Sequence, residues 1–114
     1  MSLEDILEGI NKLRDGPDVK VIGDGRKTVT TAGTREPLVA LSTSAKYVTI
    51  TAETDNTDIV VVGGFTVVAA LATRRGLPLY AGDSTTRPVP KKDLQNIFLD
   101  VMVNGEGVTF TYEN

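Results

Sequence analysis

Apolar residues recur with helical spacing over the first fifteen positions and with the two-residue alternation of strands over most of the rest. Leu3, Ile6, Leu7, Ile10 and Leu13 make one stripe, while Glu4, Asp5, Glu8, Asn11, Lys12 and Arg14 fall on the remaining positions. Ser2 is placed to cap the start, the acids lie in the first half, the bases lie near the end, and Gly16-Pro17 stops the pattern. These signals predict a short amphipathic α-helix. About a dozen residues are marginal as an isolated helix, so the stripe needs burial. It has two candidate homes, the chain's own β domain or a neighbouring subunit or larger assembly, and the pattern does not choose between them.

From residue 19 onward the chain reads as strands. Val and Thr supply 29 of its 114 residues, and both are β-branched, stiff at χ1 and favoured on pleated surfaces. Strand candidates come every eight to twelve residues or so, as in an all-β sandwich or barrel: 19–22, 27–31, 38–41, 46–52, 58–62, 66–70, 84–87, 96–103 and 108–112. Asp15 to Asp18 and Gly23 to Arg26 read as turn-rich leads. Leu77-Pro78-Leu79 and Pro88-Val89-Pro90 belong at a sheet edge or in a loop, since proline cannot donate to a ladder. The expected division is residues 1–18 as helix and turn and 19–114 as a sandwich domain.

Two hairpins can be registered. Around Asn104-Gly105-Glu106-Gly107, pairing Val103 with Val108 sets Val101 against Phe110 and Leu99 against Tyr112, an apolar face for the core. The reverse face carries Phe98, Asp100 and Met102 beside Thr109 and Thr111. Around Asp55-Asn56-Thr57, pairing Ala52 with Ile59 sets Ile50 against Val61 and leaves Val60 and Val62 beside Thr49 and Thr51. Mixed reverse faces of this kind are candidate subunit contacts, with Phe98 and Met102 the residues of interest alongside the stripe from Leu3 to Leu13.

Composition removes chemistry. The chain has neither Cys nor His, which excludes disulfides, thiolate nucleophiles, zinc-thiolate sites and the commonest general base and transition-metal ligand. No cofactor is expected. A length of 114 residues fits one domain, and a net charge of -3 with few clustered bases argues against nucleic acid. No apolar run approaches the roughly 20 residues a bilayer span needs. The acidic opening Met1-Ser2-Leu3-Glu4-Asp5 differs from a secretory signal, so synthesis and folding in the cytoplasm are expected.

The motif candidates are weak. Gly23-Asp24-Gly25-Arg26-Lys27-Thr28 fails the phosphate-loop spacing, since Arg26 and Val21 stand where glycines are required. Asp55, Asn56 and Asp58, with Glu53 nearby, offer oxygens to calcium but lack the EF-hand's central Gly and closing Glu, and Asp and Asn are ordinary turn residues. No enzyme activity is expected.

The runs Lys46–Ala52, Asn56–Gly64, Gly76–Ser84 and Leu94–Asp100, and the ending Val103–Tyr112, together resemble a group of small virion proteins of tailed bacteriophages. The resemblance spans roughly residues 33 to 112 and rests on strand-and-turn signatures. It implies a mainly β fold, a jelly-roll-like antiparallel β-sandwich; residues 1 to 32, with the one short N-terminal amphipathic α-helix that precedes the sandwich, lie outside the resemblance. It also implies a head decoration or cement protein that joins a preformed shell, often as a homotrimer, and clamps the major capsid protein against internal DNA pressure. Location in the virion follows from the same resemblance. The alternatives are a tail, neck or fibre component, or a glycan- or cell-surface-binding module, which requires Phe65, Tyr80 and Phe98 to converge.

Overall fold

The computed structural model describes residues 22–114; the stripe from Leu3 to Leu13 and the boundary at residues 18 and 19 lie outside the described residues. The chain is mainly β. Its strands are β1 (Ile22–Thr28), β2 (Glu36–Pro37), β3 (Tyr47–Ala52), β4 (Val60–Gly63), β5 (Leu77–Leu79), β6 (Ser84–Pro88), β7 (Phe98–Val101) and β8 (Gly107–Glu113). The helical pieces among the described residues are three short 3-10 turns. Sheet I has the order β1-β8-β3-β6 and sheet II the order β2-β7-β4-β5, with every pairing antiparallel.

The two sheets close on one core. Val48, Ile50, Ala52, Val108 and Phe110 come from sheet I and Val60, Val62, Leu79, Leu99 and Val101 from sheet II, with Val29, Leu38, Ala45, Val89, Leu94 and Ile97 filling in from the connections. A smaller cluster, Ile59, Val61, Val67 and Ala69, lies on the reverse side of sheet II, and Phe98 packs against it. Residues 64–76 fold back over that side and give the outward valine of β4 its cover.

The expected hairpins are both corrected. β7 and β8 lie in different sheets, and so do β3 and β4. Val101 and Phe110 share the core across the sandwich instead of standing side by side on one sheet, and Ile50, expected against Val61, shares the core with Val60 and Val62 while Val61 lies in the smaller cluster. Alternation identifies the buried face of a strand but not its neighbour, and six of the seven connections pass from one sheet to the other. Val60 and Val62, expected beside Thr49 and Thr51, face the core, while Ile59 and Val61 face the smaller cluster.

Three further expectations change. Gly23 to Arg26 is the middle of β1, not a turn: Gly23 pairs with Tyr112 and Gly25 with Phe110. An ideal Cβ on Gly25 would lie 2.5 Å from the Phe110 ring, and one on Gly23 would overlap the Tyr112 ring. Each glycine leaves space that an aromatic ring on the neighbouring strand fills. The candidate strand at 27–31 is therefore only the end of β1, whose first residue, Ile22, is the last of the candidate at 19–22. Residues 38–41 make no ladder, although Leu38 is buried and its N–H bonds Ile97 O at 2.8 Å. Residues 66–70 keep the alternation, with Val67 and Ala69 buried, but only Val68 bridges, to Arg75. The Ala69 N–H donates to the Asp100 carboxylate at 2.8 Å instead of to a strand.

The prolines fall as expected. Pro78 is in β5 and Pro88 in β6, each an edge strand of its sheet.

Candidate functional site

The outer faces of the two sheets differ in chemistry. On sheet I the pairings set Arg26, Thr109, Thr51 and Ser84 in one row and Asp24, Thr111, Thr49 and Thr86 in the next. Thr49 and Thr86 share a hydroxyl bond of 2.8 Å, and Thr51 and Ser84 one of 2.7 Å. Beyond them, Ile22, Glu113, Tyr47 and Pro88 form a third row with exposed apolar ends. Arg26 grips the Glu53 carboxylate through Nε and Nη2 at 2.7 and 2.9 Å. That bond and charge hold Glu53 below the usual carboxylate range and raise Arg26 further.

Sheet II presents aromatic rings and bases. Phe65, two-thirds exposed at 66%, meets Phe98 edge to face with ring centroids 5.4 Å apart. The Arg35 guanidinium lies over the Phe65 ring, 4.6 Å from its centroid. With Gly33 and Thr34 these side chains line a hollow of 360 Å³.

Asp100 fastens this arrangement. It is 1% exposed, and its carboxylate accepts from Gly33 N at 2.9 Å, Ala69 N at 2.8 Å and Val101 N at 2.9 Å. One acceptor thereby pins two loops to β7: the loop 29–35 that carries Arg35 and the loop 64–76 that carries Phe65. Arg74 Nε adds a bond to Ala69 O at 2.9 Å.

The residues singled out from sequence fall as follows. Leu3, Ile6, Leu7, Ile10 and Leu13 lie outside the described residues. Phe98 is half-buried in the aromatic cluster, and Met102 is exposed just beyond the end of β7, in the turn towards β8. Thr109 and Thr111, expected on the same face as Phe98, belong to the other sheet. Arg35 carried no signal in the sequence. Phe65 was named only among the three aromatics, with Tyr80 and Phe98, that a glycan site would bring together, and it meets Phe98.

Of the residues considered for calcium, Glu53 is held by Arg26, and Asn56 and Asp58 are bonded to the backbone. Asn56 donates to Gly107 O at 2.9 Å and accepts from Gly107 N at 3.3 Å. Glu106 accepts from Thr57 N, Thr57 Oγ1 and Asp58 N, and Asp58 accepts from Ile59 N at 2.7 Å. Among the described residues no three acidic side chains gather as a metal-binding group, and no helix is long and apolar enough to cross a membrane. Compared with known proteins, the chain matches no family model, no curated protein and no solved structure.

Proposed function

We propose that this protein is a structural component of a bacteriophage virion, a decoration or cement protein that binds the assembled head as an oligomer, in the first instance a homotrimer. The structural observation behind the reading is the strand order. β1 pairs with β8, β2 with β7, β3 with β6 and β4 with β5, the arrangement that results when one long antiparallel hairpin is rolled into two sheets. We read that order as a jelly roll, an architecture that recurs in viral capsid and lectin domains. Fold alone assigns no role. The role comes from the resemblance of residues 33 to 112 to small virion proteins, with which this strand order is compatible.

The mechanism is mass action without a covalent step. A protein that binds only the assembled lattice stabilises it by RT ln(1 + [L]/Kd), about 2.7 kcal/mol per site at a hundredfold excess over Kd. The test is co-sedimentation of the purified full chain with cognate heads and, separately, tails, with light scattering of the free protein. Saturable binding to heads and a raised temperature of DNA release are expected. A free monomer that binds neither particle overturns the reading, and binding to tails alone moves the protein to the tail.

A second reading, a glycan-binding module, gains from the approach of Phe65 and Phe98. It is weakened by Arg35, which covers one face of Phe65, and by Tyr80, which makes no ring contact with either among the described residues. A glycan array with no hits removes it.

A further inference from the structure

The hydroxyls of sheet I bond largely to one another, and Arg87, whose Nε is buried without a hydrogen-bond partner, belongs to an edge strand where an inward-pointing charge guards against strand addition. The aromatic and basic cluster of sheet II has no such internal explanation. A phenylalanine two-thirds exposed is held rigidly between an arginine and a second ring, on loops fixed by a buried carboxylate. Aromatic residues and arginine in a fixed arrangement are what dominates the energy of protein contacts.

We propose that the cluster Arg35–Phe65–Phe98 receives residues 3–13 of a neighbouring copy of this chain. Charge is the first argument. The two loops over sheet II carry Arg35, Arg74 and Arg75, and no carboxylate among the described residues pairs with Arg35 or Arg75. Residues 3–10 supply the complement: Leu3, Ile6, Leu7 and Ile10 for the rings, and Glu4, Asp5 and Glu8 for the arginines, with no basic residue among them.

Chain direction is the second argument. The N-terminal segment joins β1 at Ile22, on sheet I, whereas Thr28 at the other end of β1 leads into the loop that bears Arg35 over sheet II. Six residues of strand separate those ends, about 20 Å at roughly 3.3 Å per residue. A neighbouring copy offers the same cluster without the chain having to round its own sheet edge. A contact from the segment of one copy to the cluster of the next is head-to-tail; such contacts close into rings, of which a trimer is one, where the rotation between copies closes, and run on as open filaments where it does not. The inference rests on the reading of this protein as self-associating and does not depend on which particle it attaches to.

The test uses full-length chains in sedimentation equilibrium. Phe65→Ala and Arg35→Glu in the cluster, and Leu7→Asp in the segment, are each expected to weaken self-association at least tenfold, with thermal midpoints unchanged for the two cluster variants. Mixing Phe65→Ala with Leu7→Asp should restore a species containing both chains, because one intact segment then meets one intact cluster. Should Leu7→Asp fail to fold, Glu8→Arg and Arg35→Glu serve instead, each weakening association alone and restoring it when combined in one chain. Wild-type association in the cluster variants, or loss in the cluster variants but not in the segment variants, overturns the inference while leaving the self-associating reading in place. A wild-type chain that stays monomeric at every concentration overturns both. A glycan that binds wild type and not Phe65→Ala, with association unaffected, assigns the cluster to sugar instead.

Discussion

An ideal Cβ at Gly107 would land on the backbone of Lys27 and Thr28, at the position where β8 begins its pairing with β1. Backbone cannot swing aside as a side chain can. Gly107→Ala should therefore be the costliest of three glycine changes, followed by Gly25→Ala against the buried Phe110 ring and then Gly23→Ala against the partly exposed Tyr112 ring. Overpacking costs of roughly 1–3 kcal/mol are expected for Gly25→Ala, read as a lower midpoint in urea at constant slope. A smaller loss at Gly107 than at Gly23 would show that β1 can move away from β8. Asp100 gives a second residue-scale expectation. Asp100→Ala removes the acceptor for the Gly33, Ala69 and Val101 amides, and with an unsatisfied N–H at the two buried residues, Ala69 and Val101, costing about 1–3 kcal/mol each the loss should reach roughly 2–5 kcal/mol. Faster hydrogen exchange appearing first at Gly33 and Ala69 would tie the loss to the loops over sheet II.

Each element reads differently from its neighbours. Strands β3 and β8 were legible from their alternation, because a strand with one buried face writes a two-residue period into its sequence, whereas β4, buried on both faces, was legible only as an apolar run whose faces the alternation could not assign. β1 was not legible, because its inner positions are Gly23 and Gly25 and the apolar atoms that fill them belong to Phe110 and Tyr112, more than eighty residues away. The partners were misjudged for a related reason. Sequential strands pair more often than not, and that default fails where nearly every connection crosses between sheets. What replaces a hairpin turn is visible at residues 53–59 and 102–106, two crossings bound to each other by Asn56 on Gly107 and by Glu106 on Thr57 and Asp58. Of the candidate site, Phe98 was legible as the odd apolar residue on a mixed face. Arg35 was not, since its place over Phe65 depends on two loops meeting at Asp100. Glu106→Ala should loosen both crossings together at a cost of about 1–2 kcal/mol, because the lost bonds are charge-assisted but exposed. Hydrogen exchange that rises at Thr57 and Asp58 but not at Gly107 would separate the two crossings and refute their coupling.

At the scale of the whole molecule, three carboxylates tie distant parts together, and acid should undo them. Glu36 in sheet II accepts from Thr30 N at 2.8 Å and from Lys27 Nζ of sheet I at 3.0 Å, and the backbone bond first, then the lysine, hold it below its usual range. Glu53 is lowered by the hydrogen bond from Arg26. Asp93 is lowered first by the Ser42 hydroxyl, then by the Gln95 and Thr43 amides, and so joins residues 42–43 to the 3-10 turn at Leu94–Asn96. A carboxylate whose folded pKa lies below its unfolded value binds fewer protons folded than unfolded, so its contribution is present above the unfolded value of about 4 and is lost as pH falls through the lower folded value. Thermal midpoints should therefore be level from neutral pH to about 5 and decline below about 4, with no step near 6 to 7, where a chain without histidine has no side chain that titrates unaided. The decline should be shallower in Glu36→Gln and Glu53→Gln, each of which starts from a lower midpoint at pH 7. Lys27→Met should reproduce only part of the Glu36→Gln effect, because the Thr30 amide, the larger cause, remains. If Lys27→Met abolished the acid dependence that Glu36→Gln removes, the ion pair between the sheets, and not the backbone bond, would be what holds that edge closed.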